Sequence, residues 1–124
     1  MPDQTVQVRF APPNSWQFDP LAVRMTAAGK VKLHQHPANA AWKFVTAEVI
    51  GGGEQFSVTV NPNGTQLTIE NRCTSAGTFL YTVTVVQDGV RYTSAATGLV
   101  AAERPPQIEN QPSLRGEAGP GPGG

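Results

Sequence analysis

The chain has 124 residues, nine basic and nine acidic, and only 15% of its positions are charged. One domain of ordinary size fits this length; two separate cores do not. Zero net charge leaves no long-range field for nucleic acid or anionic lipid. With no apolar run of about eighteen residues to span a bilayer, neither nucleic acid nor a membrane is expected as a partner.

From residue 4 to residue 102 the dominant hydrophobic period is two, the period of a half-buried strand. TVQVRF sets Val6, Val8 and Phe10 on one face, and PPN ends it. WQFDPLAVRM carries Trp16 and Phe18, then Leu21, Val23 and Met25. Pro20 has no N–H for a ladder, so it should move the strand to an edge or into another sheet. KVKLHQHP aligns Val31 with Leu33, and AWKFVTAEVI carries Trp42 and Phe44 before the break at GGG. FSVTV aligns Phe56, Val58 and Val60; after the turn NPNG, QLTIENRC aligns Leu67, Ile69 and Cys73. TFLYTVTVV follows with Phe79, Tyr81, Val83 and Val85. Asp88-Gly89 is the clearest hairpin signal, and VRYTSAATGLV completes that hairpin and extends toward a last strand. Seven or eight short strands with regular turns predict an all-β fold, an antiparallel Greek-key β-sandwich.

The composition changes at residue 104. Residues 104–124 hold five prolines and five glycines in 21 positions, too little apolar surface to offset the entropy of ordering. The expected organisation is a β-sandwich domain over 1–103 and a largely disordered segment over 104–124, with Ile108 as the one residue able to hold RPPQIEN against the domain.

Three features could carry chemistry. Cys73 is the lone cysteine, so an internal disulfide is excluded. Small copper β-sandwiches keep a cysteine ligand at a comparable strand end, with a second imidazole and a thioether following in one tight loop. Downstream of Cys73 there is neither His nor Met. Its phase with Leu67 and Ile69 points it inward instead, as a small buried hydrophobe. His34 and His36 alternate on one strand face, an H-x-H pair able to offer two imidazoles to a metal. Lys30 and Lys32 share that face and oppose a dication. Trp16 and Trp42 could stack on a sugar or a peptide, but each keeps phase with apolar neighbours, which favours core duty. No nucleophile elbow or phosphate loop appears, so no catalytic residues and no cofactor are expected.

With the strands placed, WQFDP near the start and RPPQIENQ near the end resemble the DP-EP family of small bacterial proteins. Asp19-Pro20 matches the first dipeptide; Glu103 and Pro105 are separated by Arg104, while the following PQIEN fits. The similarity runs over roughly residues 4–111. It implies a metal-free, cupredoxin-like or immunoglobulin-like sandwich and no enzymatic activity.

The expectation is a non-enzymatic interaction or structural module acting through a strand edge or end loops, with a protein partner or a second copy and no small-molecule ligand. One alternative is a metal or redox protein of cupredoxin descent using His34, His36 and Cys73. Another is a carbohydrate- or peptide-binding accessory domain using Trp16 or Trp42. MPDQTVQVRF shows neither a basic leader nor an apolar stretch with a cleavage site, so the chain as it stands reads as cytoplasmic, and a mature secreted form would read the same.

Overall fold

Alternation of buried and exposed residues, the strand signature, runs through almost every segment of the computed structural model, which describes residues 3–12, 15–94 and 105–112. Ten strands form in these residues: β1 (Gln4–Ala11), β2 (Ser15–Asp19), β3 (Ala22–Met25), β4 (Gly29–Gln35), β5 (Lys43–Val49), β6 (Phe56–Val60), β7 (Gln66–Asn71), β8 (Gly77–Gln87), β9 (Val90–Thr93) and β10 (Gln107–Asn110). One sheet has the order β2-β1-β4-β7-β6; the other has β3-β10-β8-β5, with β9 also paired to β8.

The two inner faces meet in one core. Val6, Val8, Val31, Leu33, Leu67 and Ile69 come from the first sheet, and Val23, Met25, Tyr81, Val83, Val85 and Ile108 from the second. Aromatic pairs bridge the layers: Phe18 meets Tyr81 edge-on at 6.1 Å, and Phe10 meets Tyr92 at 5.1 Å. Fully burying each large aliphatic side chain contributes about 1.5–3 kcal/mol, which is why the inward positions dominate the fold.

The all-β sandwich expected from periodicity is present, with three differences. The strands number ten among the described residues, against an expectation of seven or eight. One reason is Pro20: the segment around it forms two strands, β2 at the edge of the first sheet and β3 at the edge of the second, so the chain changes sheet there. The Asp19-Pro20 peptide is cis. Next, the sheets are mixed, because β1 pairs with β4 in parallel and β10 pairs with β3 in parallel, while the other pairings are antiparallel.

The third difference lies within the stretch after residue 103. Gln107–Asn110, assigned to the disordered segment, is a strand between β3 and β8, and Ile108 is fully buried. A high local Pro and Gly content does not prevent four residues from ordering when both flanking strands supply ladders and the core supplies a pocket. Residues 113–124 lie outside the described residues, as does the last strand expected around residues 95–100.

Turn chemistry follows the sequence closely. Asp88 and Gly89 have φ of 55° and 79°, both left-handed, which is the tight primed turn that DG favours. At NPNG the Gly64 N–H donates to Asn61 O at 3.0 Å, and the Asn61 side-chain oxygen accepts from the N–H groups of Thr65 and Gln66. A Cβ on Gly64 would lie 2.9 Å from Lys43 Cβ. That close approach lets the Gly64 carbonyl accept the Phe44 N–H at 2.8 Å. The β6–β7 turn thereby ties β5 in the opposite sheet and closes one side of the sandwich. The other side ends in β2 and β3, each the last strand of its sheet.

Candidate functional site

His34, His36 and Cys73 do not come together. His34 pairs with Gln66 at the start of β7, whereas Cys73 lies seven residues further along that chain, beyond the end of the strand. At roughly 3.3 Å per residue the separation is about 20 Å. The faces differ as well: His34 alternates with the inward Leu33 and Gln35 and so faces outward, while Cys73 is buried in the core. Among the described residues, no group of three His, Cys, Asp or Glu side chains is placed to hold a metal ion.

Cys73 is held by a polar network at one end of the core. Asn71 continues the inward phase of Leu67 and Ile69 and is 2% exposed; its side-chain oxygen accepts the Cys73 N–H at 2.8 Å. This Asx-type contact steers Cys73 into the left-handed region, φ 55°. The Cys73 thiol lies 3.6 Å from the Met25 carbonyl oxygen. The Asn71 amide nitrogen donates to Asn110 Oδ1 at 2.7 Å and meets the Met25 sulfur at 3.1 Å. Asn110 donates in turn to Gln55 Oε1 at 3.1 Å, and that oxygen also accepts the N–H groups of Thr74 and Ser75. Three buried amides from β7, β10 and the 3-10 turn at Gly53–Gln55 thus satisfy one another where apolar packing runs out.

Burial pushes the Cys73 thiol above its ordinary value of 9.0, outweighing the backbone hydrogen bond with Gln111 that pulls it down. Burial likewise pushes the Tyr81 phenol above its ordinary 10.0, and the Tyr81 hydroxyl has no partner among the described residues. A reactive thiol needs the opposite shift. Both groups keep their protons more tightly folded than unfolded. The stability they support is therefore complete below about pH 9 and is lost as rising pH ionises the unfolded side chains. The melting temperature should stay level to about pH 8.5 and then fall; in Cys73→Ala the onset should move toward pH 10, where only the tyrosine remains. Thermal melts across pH 7 to 10.5 check this, and identical profiles for the two proteins would refute it.

The tryptophans divide. Trp42 is 3% exposed and packs edge-on against Phe44 at 5.0 Å and Phe10 at 6.3 Å, so it is core. Trp16 is half-buried on the edge strand β2, 4.5 Å from the Phe10 ring and stacked parallel to Phe18 at 6.0 Å. Beside it lies an open hollow of about 390 Å³, lined among others by Arg9, Ser15, Gln17, His36 and Pro37. His36 therefore belongs to the β2 corner. On the same outer face, Arg9 sits opposite Gln17 and Asp19 sits opposite Gln7. Neither Arg9 nor Asp19 has an ion-pair partner among the described residues.

A second and larger hollow, about 450 Å³, opens at the other end of the first sheet. It is lined by Asp3, Lys30, Gln55, Ser57, Glu70 and Arg72 together with smaller residues. Cys73 points inward, as its phase with Leu67 and Ile69 predicts, and the neighbouring Arg72 is exposed. Sequence reasoning missed Gln55, Asn71 and Asn110. Asn71 was legible, because an amide at an inward position of a strand pattern needs buried partners; Gln55 and Asn110 become neighbours only through the fold.

Comparison with protein-family models and with curated proteins finds no match for this chain.

Proposed function

We propose that the protein is a non-enzymatic interaction module that pairs through the outer edge of β2, the last strand of its sheet among the described residues, with a second copy of the same chain as the partner. The observation that carries this reading is that Asp19 on β2 and Arg9 on the adjoining β1 have no ion-pair partner among the described residues. Exposed strand edges present backbone N–H and C=O groups that recruit another strand. Here one side of the sandwich is closed by the contact between Phe44 and Gly64, and the other ends in β2.

Two β2 strands meeting antiparallel about a twofold axis at Gln17 would set Ser15 of each opposite Asp19 of the other. No like charges then face each other. Asp19 of one copy lands beside the hollow that contains Arg9 and His36, where its carboxylate finds the cation that no described residue of its own chain supplies. The edge of β3 offers less, since the hollow beside it is smaller, about 270 Å³, and its lining of Leu21, Ala22, Pro105 and Gln107 bears no charge.

The kinship to the DP-EP proteins belongs to the same proposal, as do the cupredoxin-like sandwich and bacterial origin it implies. Its support is that the two motif regions are neighbours: β3, which follows Asp19-Pro20, pairs in register with Gln107–Asn110.

Size-exclusion chromatography with light scattering over a concentration series tests the pairing. A dimer that grows with concentration is expected, weak because a five-residue strand buries little area. Arg9→Asp and Asp19→Arg should each shift the protein to monomer, and the double charge reversal should restore the dimer. A monomer at every concentration, or single variants that associate as the parent does, would overturn the reading.

A further inference from the structure

The hollow beneath Arg72 has an imbalance of donors and acceptors that identifies the group it takes. Its two carboxylates are already engaged. Asp3 Oδ1 accepts the Lys30 N–H at 3.0 Å, and Asp3 Oδ2 lies 3.8 Å from Lys32 Nζ. Glu70 Oε2 lies 3.8 Å from Lys30 Nζ, and Glu70 Oε1 accepts the Ser57 hydroxyl at 3.4 Å.

Two donors are left over. Gln55 is 7% exposed, and its Oε1 is occupied from the inside by Thr74 N, Ser75 N and Asn110 Nδ2. Three inward bonds to one amide oxygen fix the amide plane and turn the –NH₂ group away from them. That nitrogen has no protein partner among the described residues, and Gln55 lines the hollow. Above it, Arg72 donates its backbone N–H to Gln55 O at 2.8 Å and has no ion pair among the described residues. Ala28 and Gly29 are too small to fill the space between.

We infer that this hollow is a binding site for a carboxylate, held by the fixed Gln55 amide nitrogen and the Arg72 guanidinium. A guanidinium and an amide N–H group lining one hollow can together serve the two oxygens of a carboxylate, and charge-assisted bonds of this kind are among the stronger ones. Because Asp3 and Glu70 already have partners, neither competes for Arg72. The volume suits a small acid or one acidic side chain of an extended segment. The site is at the opposite end of the first sheet from the β2 corner and does not depend on pairing there.

The test follows the Gln55 side-chain amide and the Arg72 Nε–H by NMR in isotope-labelled protein. The two probes are sodium glutarate and the peptide acetyl-Ala-Glu-Ala-amide, whose only anion is a side-chain carboxylate. Saturable shifts of both signals with either probe are expected; glutarate alone points to a free acid, and the peptide points to a segment of chain. Gln55→Glu keeps an oxygen for Thr74, Ser75 and Asn110 but replaces the outward donor with an anion. Arg72→Gln removes the cation from an exposed position and leaves the core untouched. Each should weaken binding by about tenfold or more. No saturable shift with either probe, or unchanged affinity in either folded variant, overturns the assignment.

Discussion

Ending the chain after Arg104 is expected to abolish cooperative folding. The deletion removes β10, which runs between β3 and β8 and is the only strand paired with β3 among the described residues. Without it β3 becomes an isolated four-residue strand, and Val23 and Met25 lose the neighbour that seals them. The Tyr81 N–H loses the Pro106 carbonyl and Gln55 Oε1 loses the Asn110 amide. Ile108 alone, fully buried, accounts for about 2–5 kcal/mol by comparison with large-to-small core substitutions. Several ladder bonds add about 1 kcal/mol each, so the sum reaches the 5–15 kcal/mol or so that stabilises a whole domain. Circular dichroism melts and urea titration would show a broad, non-sigmoidal transition. A sharp transition within a few degrees of the parent would mean that residues 105–112 are dispensable. Ile108→Ala in the full chain provides the graded version, with a loss of about 3 kcal/mol.

The next largest effect is expected at Asn71. Asn71→Leu places an apolar side chain of similar size at a buried position and removes four contacts. The Cys73 N–H, the Asn110 side-chain oxygen and the Met25 sulfur lose their partner, and the Asn110 amide nitrogen keeps only Gln55 Oε1. Each buried polar group left unmatched costs about 1–3 kcal/mol, and the left-handed Cys73 loses the contact that holds it. We expect destabilisation of about 3–5 kcal/mol from the unmatched groups together. Replacing Asn71 and Asn110 together by Leu should cost less than the sum of the single changes, because each single change leaves the other amide with bonds unmade that the double change removes. Urea denaturation of the two single variants and the double variant measures this coupling, and strict additivity would refute a shared network.

Both predictions concern features that local pattern could not supply. β10 is written in a stretch whose composition reads as unable to fold, because proline and glycine content measures a segment's own entropy and is blind to the edges waiting on either side. Its lone aliphatic residue, Ile108, was the visible clue. The amide network joins residues 39 and 55 positions apart in the chain, Asn71 to Asn110 and Asn110 to Gln55, and no spacing rule reaches across such gaps. The same holds for the hollow at Arg72. That Arg72 faces outward follows from alternation, but the fixed amide beneath it depends on a 3-10 turn docking against β7 and β10.

What the sequence determined by itself was the class of fold and the fate of its most suggestive residues. Period-two alternation assigns each side chain to one of two faces whatever lies across the sheet, so the core positions, the inward Cys73 and the buried Trp42 were all readable along the chain. The turn at Asp88-Gly89 was equally local, because positive φ is a property of the residue itself. Tertiary structure decided which strands became neighbours, that two of the pairings are parallel, and where unmatched donors were left facing solvent. Those outcomes depend on how two sheets close around a shared interior, and the energy that selects them is distributed over contacts between residues far apart in sequence.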